Sequence, residues 1–412
     1  MDILFIHGNF PGQFKYLANA FAESGQNRVK YLTGVNKERT SSLKNIGILE
    51  YQIHRSVGKD VHQYIRTSEE AVLNGQAVIR AIDQAIMTGF EPRLIIYHGG
   101  MGLGLFLKTI LPNTITIGYF EWHFSPSDCK VLLNKSDVNT YFSAEMRNLP
   151  IYHELISCDA GVVPTEWQKS RFPEIFHDKL NIIFDGIDQS FFKPYKTDLQ
   201  KTVTLHSSDH LKQQTIIQKG DLVLSYATRG MEPLRGFPEF MNALPKAFST
   251  FDNLKVVIAG ADRCAYSYAA ENESGSWKDY MLSKLRSKLK LENISFTGLL
   301  TYVDYRKLLW RSNLHCYFTR PYVTSWSLFE AAACGASMLV SRGKATDNIL
   351  MPSSVWWTDL NSQEDVNIQI INGLKSRANG TYKQAVINEG FSLTESLKKW
   401  ERLINKQLNK NK

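Results

Sequence analysis

The chain has 412 residues, is 43% hydrophobic, 12% aromatic and 21% charged, and contains 26 Gly and 13 Pro. At about 100–200 residues per domain, two or three domains are expected, and the composition excludes a disordered, collagen-like or coiled-coil chain. Lys and Arg number 48 against 40 Asp and Glu, a formal +8; this suits an anionic small molecule or an acidic membrane surface, while no basic–aromatic motif supports nucleic-acid binding.

The opening MDILFIHGNFPGQF carries an acid at position 2 and too short an apolar run for a signal peptide. The longest apolar runs, such as Leu94–Tyr97 and Ala331–Cys334, fall far below the roughly 18 residues of a membrane span. Cys129, Cys158, Cys264, Cys316 and Cys334 are odd in number and form no C-x-x-C, so neither a disulfide framework nor a zinc site is expected. A cytoplasmic setting fits.

In chain order, the pattern predicts a strand at Asp2–His7 and a helix over Gly12–Ser24. A long helix over 62–89 has apolar spacing near 3.6. Strands follow at Leu94–His98, Thr114–Phe120, Ser157–Pro164 and Leu180–Asp185, the last two separated by the helix-like EWQKSRF. Residues 193–220 are polar and read as a linker with one hairpin. The pattern then restarts, with strands at Leu222–Ala227, Lys255–Ala259, Asn293–Thr297, Leu314–Phe318 and Met338–Ser341. A helix over 383–409 closes the series. Near its end Lys398, Lys399, Arg402, Lys406, Lys410 and Lys412 face one acid, Glu401. That basic end suits a solvated terminal helix, or an anionic lipid surface.

Alternating strands and helices predict two α/β units with doubly wound parallel sheets. The predicted division is 1–192, 193–390 and a C-terminal helix, 391–412, that crosses back to the first unit. In open sheets ligands bind beyond the carboxyl ends of the strands, so two such edges facing each other would form a central cleft.

Five segments follow strands and carry unusual residues. In Ser225–Gly236, Arg229 and Arg235 flank a Gly/Pro turn. Guanidinium groups hold phosphate bidentately, although two surface arginines would leave the same pattern. In Thr319–Gly335, Ser325, Trp326 and Ser327 precede a small-residue helix whose free N–H groups attract anions. Glu330 in that helix suits ribose hydroxyls, or a structural ion pair. The glycines of 99–104 follow His98, but Leu105 breaks G-x-G-x-x-G. Glu121 and His123 lie among aromatics, an arrangement that suits sugar recognition or a packed loop. Gly12, after the first strand, would let a phosphate approach a helix start. His98, Glu121 and His123 are the candidate catalytic residues. No P-loop, G-x-S-x-G, H-E-x-x-H or magnesium-binding D-x-D is present.

Taken together, ILFIHGNFPGQFKYLANAF, DAGVVPTEWQKSRFP, NIIFDGIDQSFFKP, SYATRGMEPLRGFPEF and SWSLFEAAACG resemble the glycosyltransferases of family 4 with the GT-B fold. The resemblance covers most of the chain. It implies two Rossmann-like domains and transfer, with retention, from a UDP- or GDP-linked sugar to an acceptor hydroxyl, in glycan or glycolipid synthesis. Arg229, Arg235, Ser325, Trp326, Ser327 and Gly12 would bind the diphosphate, and Glu330 the ribose. Tyr322, Val323 and Thr324 would border the donor sugar. The first Glu of the family's E-x7-E falls at Tyr322, and the usual lysine of the phosphate motif is Arg235. No metal and no cofactor beyond the substrate nucleotide are implied. The acceptor, whether saccharide, lipid-linked or protein, is left open. Two other expectations stand beside this one: a sugar-nucleotide-binding protein without catalysis, and a GT-B sugar-nucleotide epimerase.

Overall fold

The computed structural model describes residues 1–34, 43, 45–195, 201–208 and 214–410. Much of the predicted linker (196–200 and 209–213) and Lys412 lie outside the described residues.

The chain divides into two compact units. The first comprises Met1–Cys129, Ser136–Gly186 and Leu393–Lys412; the second comprises Lys130–Lys135 and Ile187–Ser392.

The first sheet is built from β1 (Asp2–His7), β2 (Arg28–Thr33), β3 (Gly47–Glu50), β4 (Pro92–His98), β5 (Ile115–Tyr119), β6 (Ala160–Val163) and β7 (Leu180–Ile182). Its order is β3-β2-β1-β4-β5-β6-β7, and every pairing is parallel. Strands covered on both faces read as continuous apolar runs, and Ile3, Leu4, Phe5 and Ile6 are all fully buried. Helices α1 (Lys15–Glu23), α2 (Arg66–Met87), α3 (Leu107–Ile110), α4 (Pro126–Leu133), α5 (Val138–Met146), α6 (Leu149–Ser157) and α7 (Glu166–Lys169) connect the strands.

In the second unit β8 (Val203–His206) and β9 (Gln214–Ile217) form the expected hairpin. A six-stranded sheet follows: β10 (Leu222–Gly230), β11 (Leu254–Ala261), β12 (Ile294–Gly298), β13 (Leu314–Tyr317), β14 (Met338–Ser341) and β15 (Trp356–Thr358). Its order is β12-β11-β10-β13-β14-β15, again parallel throughout. Helices α8 (Phe237–Thr250), α9 (Trp277–Leu285), α10 (Tyr302–Arg311), α11 (Trp326–Ala333) and α12 (Gln363–Ala378) belong to this unit.

Helix α13 (Leu393–Lys410) returns to the first unit. Trp400, Leu403 and Ile404 are buried in one cluster with Ile3, Phe5, Leu94 and Ile117. Burying such side chains contributes about 1.5–3 kcal/mol each. The predicted helix over 383–409 is thus too long at its start. Residues 383–392 instead make isolated bridges, Leu350 with Ile387 and Ile187 with Ser392. The long helix predicted from residue 62 begins at Arg66, and the helix predicted from Gly12 opens with a 3-10 turn, Gly12–Phe14.

Both sheets reverse strand order once. The reversal falls between β1 and β4 in the first sheet and between β10 and β13 in the second. The crevice beyond the carboxyl ends at such a reversal is where open α/β sheets bind ligands. His7 and His98 end the first pair of strands. Arg229 and Thr319 lie at the ends of the second pair.

Candidate active site

At the reversal in the first sheet, β1 and β4 run in parallel register, Ile6 against Tyr97. This brings the rings of His7 and His98 to 4.5 Å between centroids. His98 Nε2 lies 3.2 Å from Glu121 Oε2. Gln13 Nε2 donates to Glu121 Oε1 at 2.7 Å, and Gln13 Oε1 is 2.6 Å from His7 Nε2. The backbone N–H of Asn9 donates to His7 Nδ1 at 2.8 Å. A carboxylate only accepts, which orients Gln13 with its amide nitrogen toward Glu121. His7 therefore carries its proton on Nε2 and donates to Gln13. Burial, followed by the neighbouring His98, holds the His7 pKa near 3, so His7 is neutral at pH 7. Burial alone would raise the Glu121 pKa. The hydrogen bonds of His98 and Gln13 outweigh it and leave the group below the usual carboxylate range.

Gly12 packs against this relay. Its φ is +49°, and a Cβ there would sit 2.6 Å from His7 Nε2. The glycine thus makes room for a histidine. His123 is held elsewhere: its Nε2 is 2.9 Å from the Tyr152 hydroxyl, and its ring packs on Phe172. Among the described residues no hydrogen bond links His123 to His98 or Glu121. The structure thus joins two of the three predicted catalytic residues. It adds His7 and Gln13, which sequence reasoning passed over although both lie in the quoted loop after the first strand.

The glycine loop after β4 is clasped from within by Glu154, a fully buried residue. Its carboxylate accepts from the N–H of Gly100 and of Gly104 at 2.9 Å. Burial still dominates and pushes its pKa up to about 7.

At the reversal in the second sheet, Arg235 sits in a 3-10 turn, Pro233–Arg235, and is only 7% exposed. Its Nη1 donates to Thr319 Oγ1 at 2.8 Å, and both terminal nitrogens reach the Val323 carbonyl at 3.3 Å. Arg229 is exposed and donates to the Tyr266 hydroxyl at 2.9 Å. Ser325 caps α11, accepting from Ser327 N at 3.4 Å, with the two hydroxyls 3.0 Å apart. Trp326 is the first residue of that helix and is half-buried. Tyr322 packs 5.9 Å from Tyr266. The Thr324 hydroxyl turns inward to the Ala345 carbonyl at 2.5 Å. Glu330 is 7% exposed; burial pushes its pKa up to about 8.

Among the described residues no group of three or more His, Cys, Asp or Glu is placed to hold a metal ion. Among the described residues no helix is long and apolar enough to cross a membrane.

Two Rossmann-like units of this topology make the GT-B fold, the architecture of a large class of glycosyltransferases. Residues 25–192 match the model of the glycosyl transferase family 4 group. Solved structures agree on the fold. Sucrose-phosphate synthase from Thermosynechococcus elongatus is 12% identical, with a TM-score of 0.65 and 99% of each chain covered. HepE from Anabaena, in complex with UDP and glucose, is 14% identical, with a TM-score of 0.63, 98% of this chain and 99% of that one covered. A putative UDP-N-acetylglucosamine 2-epimerase from Listeria monocytogenes is 12% identical, with a TM-score of 0.55, 99% and 97% covered. No curated protein matches in sequence.

Proposed function

We propose that the chain is a retaining, metal-independent glycosyltransferase that moves a sugar from a UDP- or GDP-linked donor to an acceptor hydroxyl. One observation carries the reading. A buried arginine, Arg235, is fixed by Thr319 and Val323 at the strand-order reversal, near a second arginine and the capped start of α11. Cationic donors preorganised in this way stabilise the charge that grows on a departing diphosphate. Glu330, only 7% exposed, suits the ribose hydroxyls. HepE, of the same fold, was crystallised with UDP and glucose, which supports a nucleotide-linked donor.

In the proposed reaction the bond from the anomeric carbon to the diphosphate oxygen breaks. The acceptor oxygen forms its bond on the same face, and its proton passes to the leaving diphosphate. Arg229 and Arg235 neutralise the charge that develops, so no metal is called for. In the first unit, the Gln13–Glu121–His98 relay would hold His98 for contact with a substrate hydroxyl.

The test is turnover with a panel of UDP- and GDP-sugars and with saccharide, lipid-linked and protein acceptors, followed by NMR of the product anomer. Arg235→Ala should lower the rate about 10²–10³-fold, the range seen on loss of one such donor. An unchanged rate would remove Arg235 from the site, and an inverted anomer would remove retention. Interconversion of the sugar nucleotide without any acceptor would favour the epimerase reading that the Listeria structure keeps in view. Binding without turnover would favour a non-catalytic binder.

For location, a cytoplasmic setting with peripheral membrane contact is proposed. The five cysteines are all free. Helix α13 commits its apolar face to the first unit's core and leaves Lys398, Arg402, Lys406 and Lys410 exposed. Salt-sensitive co-sedimentation with anionic vesicles would support that contact, and its absence would remove it.

A further inference from the structure

Tyr266 stands between the two arginines of the second unit. It belongs to the loop after β11. Its hydroxyl accepts from Arg229 Nη1 at 2.9 Å. Its ring lies 5.6 Å from the guanidinium carbon of Arg235 and 5.9 Å from that of Arg229. One neutral side chain thus touches both cations.

The loop that carries Tyr266 is fixed by Glu232, which is fully buried. A single oxygen, Glu232 Oε2, accepts from the backbone N–H of Ala265 at 2.9 Å, Tyr266 at 2.9 Å and Ser267 at 2.8 Å. The Ser267 hydroxyl adds a fourth bond at 3.1 Å. Glu232 itself lies between Arg229 and Arg235 in the chain. The segment that presents the arginines therefore also clasps the loop that steadies them.

We propose that Tyr266 is a positioning residue for diphosphate binding, anchored by Glu232 and acting through Arg229 and Arg235. This rests on the assignment of the two arginines to the donor diphosphate. Two guanidinium groups close together repel each other. A carboxylate between them would bring them together but would cancel the charge the ligand needs. A tyrosine offers a neutral acceptor oxygen and the negative face of its ring. Both cations are thereby oriented with their charge intact for the anion.

Calorimetric titration with inorganic pyrophosphate, and with UDP and GDP, tests this in four forms of the full chain: wild type, Tyr266→Phe, Arg229→Ala and the double variant. Tyr266→Phe keeps the ring and loses only the hydroxyl. It should weaken pyrophosphate binding about fivefold, the scale of one ordinary hydrogen bond, with an unchanged melting temperature. In the Arg229→Ala background the same change should have less than about a twofold effect, because residues that act through each other are not additive. An equal loss in both backgrounds, or no loss in either, overturns the role of Tyr266 and leaves the arginine site standing. A wild-type chain that binds none of the three ligands brings down the diphosphate site itself, and this inference with it.

Discussion

Gln13 donates from its side-chain nitrogen to Glu121 Oε1 at 2.7 Å across 108 residues of sequence. The bond joins the loop after β1 to the loop after β5. With His98 on the other carboxylate oxygen, it fixes Glu121 from two sides.

Replacing Gln13 by Leu should therefore free one side of Glu121 and leave His7 Nε2 without its acceptor. A buried donor that loses its partner costs about 1–3 kcal/mol. Urea unfolding should show that loss. Transfer should fall more than the stability change alone explains, because His98 then loses its fixed orientation. Full activity in Gln13→Leu would show that the relay does not serve the reaction.

Gly12→Ala should disturb the same relay by steric means. The added Cβ would meet His7 Nε2 at 2.6 Å, at a backbone φ of +49° that L-residues rarely adopt. Stability should drop by about 1–3 kcal/mol, as for other strained or overpacked positions. A crystal structure or the His7 NMR resonances should show the ring displaced. An unmoved ring would mean that the loop yields instead.

Glu154 makes stability depend on pH in a stated direction. Burial raises its pKa to about 7 in the folded chain, against an ordinary value of 4.5. Between these values the folded state holds a proton that the unfolded state has released. Stability from this group therefore falls as pH rises from about 4.5 to 7 and is level above that. His7 works the other way: its folded pKa is near 3 against 6.5, so its contribution is lost as pH falls below 6.5. Glu154→Gln should abolish the first trend and keep the second, measured by urea midpoints across that range. It should also cost stability outright, because an amide presents a donor to one of the two glycine N–H groups. An unchanged pH profile would remove Glu154 as its source.

Glu330, in the proposed ribose contact, should link donor affinity to pH. Burial holds its pKa at about 8, so the free protein carries it largely protonated at pH 7. Ribose hydroxyls that donate to its carboxylate would stabilise the ionised form and lower that pKa. UDP or GDP binding should then strengthen as pH rises toward 8 and release a proton on binding. Calorimetry in buffers of different ionisation enthalpy reads that proton directly. Glu330→Gln should lose both effects. A wild-type chain that releases no proton would place Glu330 outside the ribose contacts.

Much of the fold could be read from the residues because buried parallel strands leave uninterrupted apolar runs, as at Asp2–His7 and Met338–Ser341. β2 escaped because Arg28 and Lys30 break its run, and β15 because it has only three residues. Arg235 and the start of α11 were legible because their chemistry is local: a guanidinium in a Gly/Pro turn, serines before a helix. Gln13 and Tyr266 were not. Each gains its meaning from a loop brought near by the sheet. His123 shows the converse. It sits two residues from Glu121, yet its partner is Tyr152, because an irregular segment turns neighbouring side chains in different directions.

The return of α13 to the first unit has a consequence for synthesis. Domains generally fold as units, the earlier-made one first. Here the second unit ends at Ser392, whereas the first needs Trp400, Leu403 and Ile404 to close its core. Of the two units, the one whose synthesis starts first is thus the one whose core closes last. Until residues 393–410 emerge from the ribosome, Ile3, Phe5, Leu94 and Ile117 lack part of their cover, and a stalled nascent chain would offer that apolar face to chaperones.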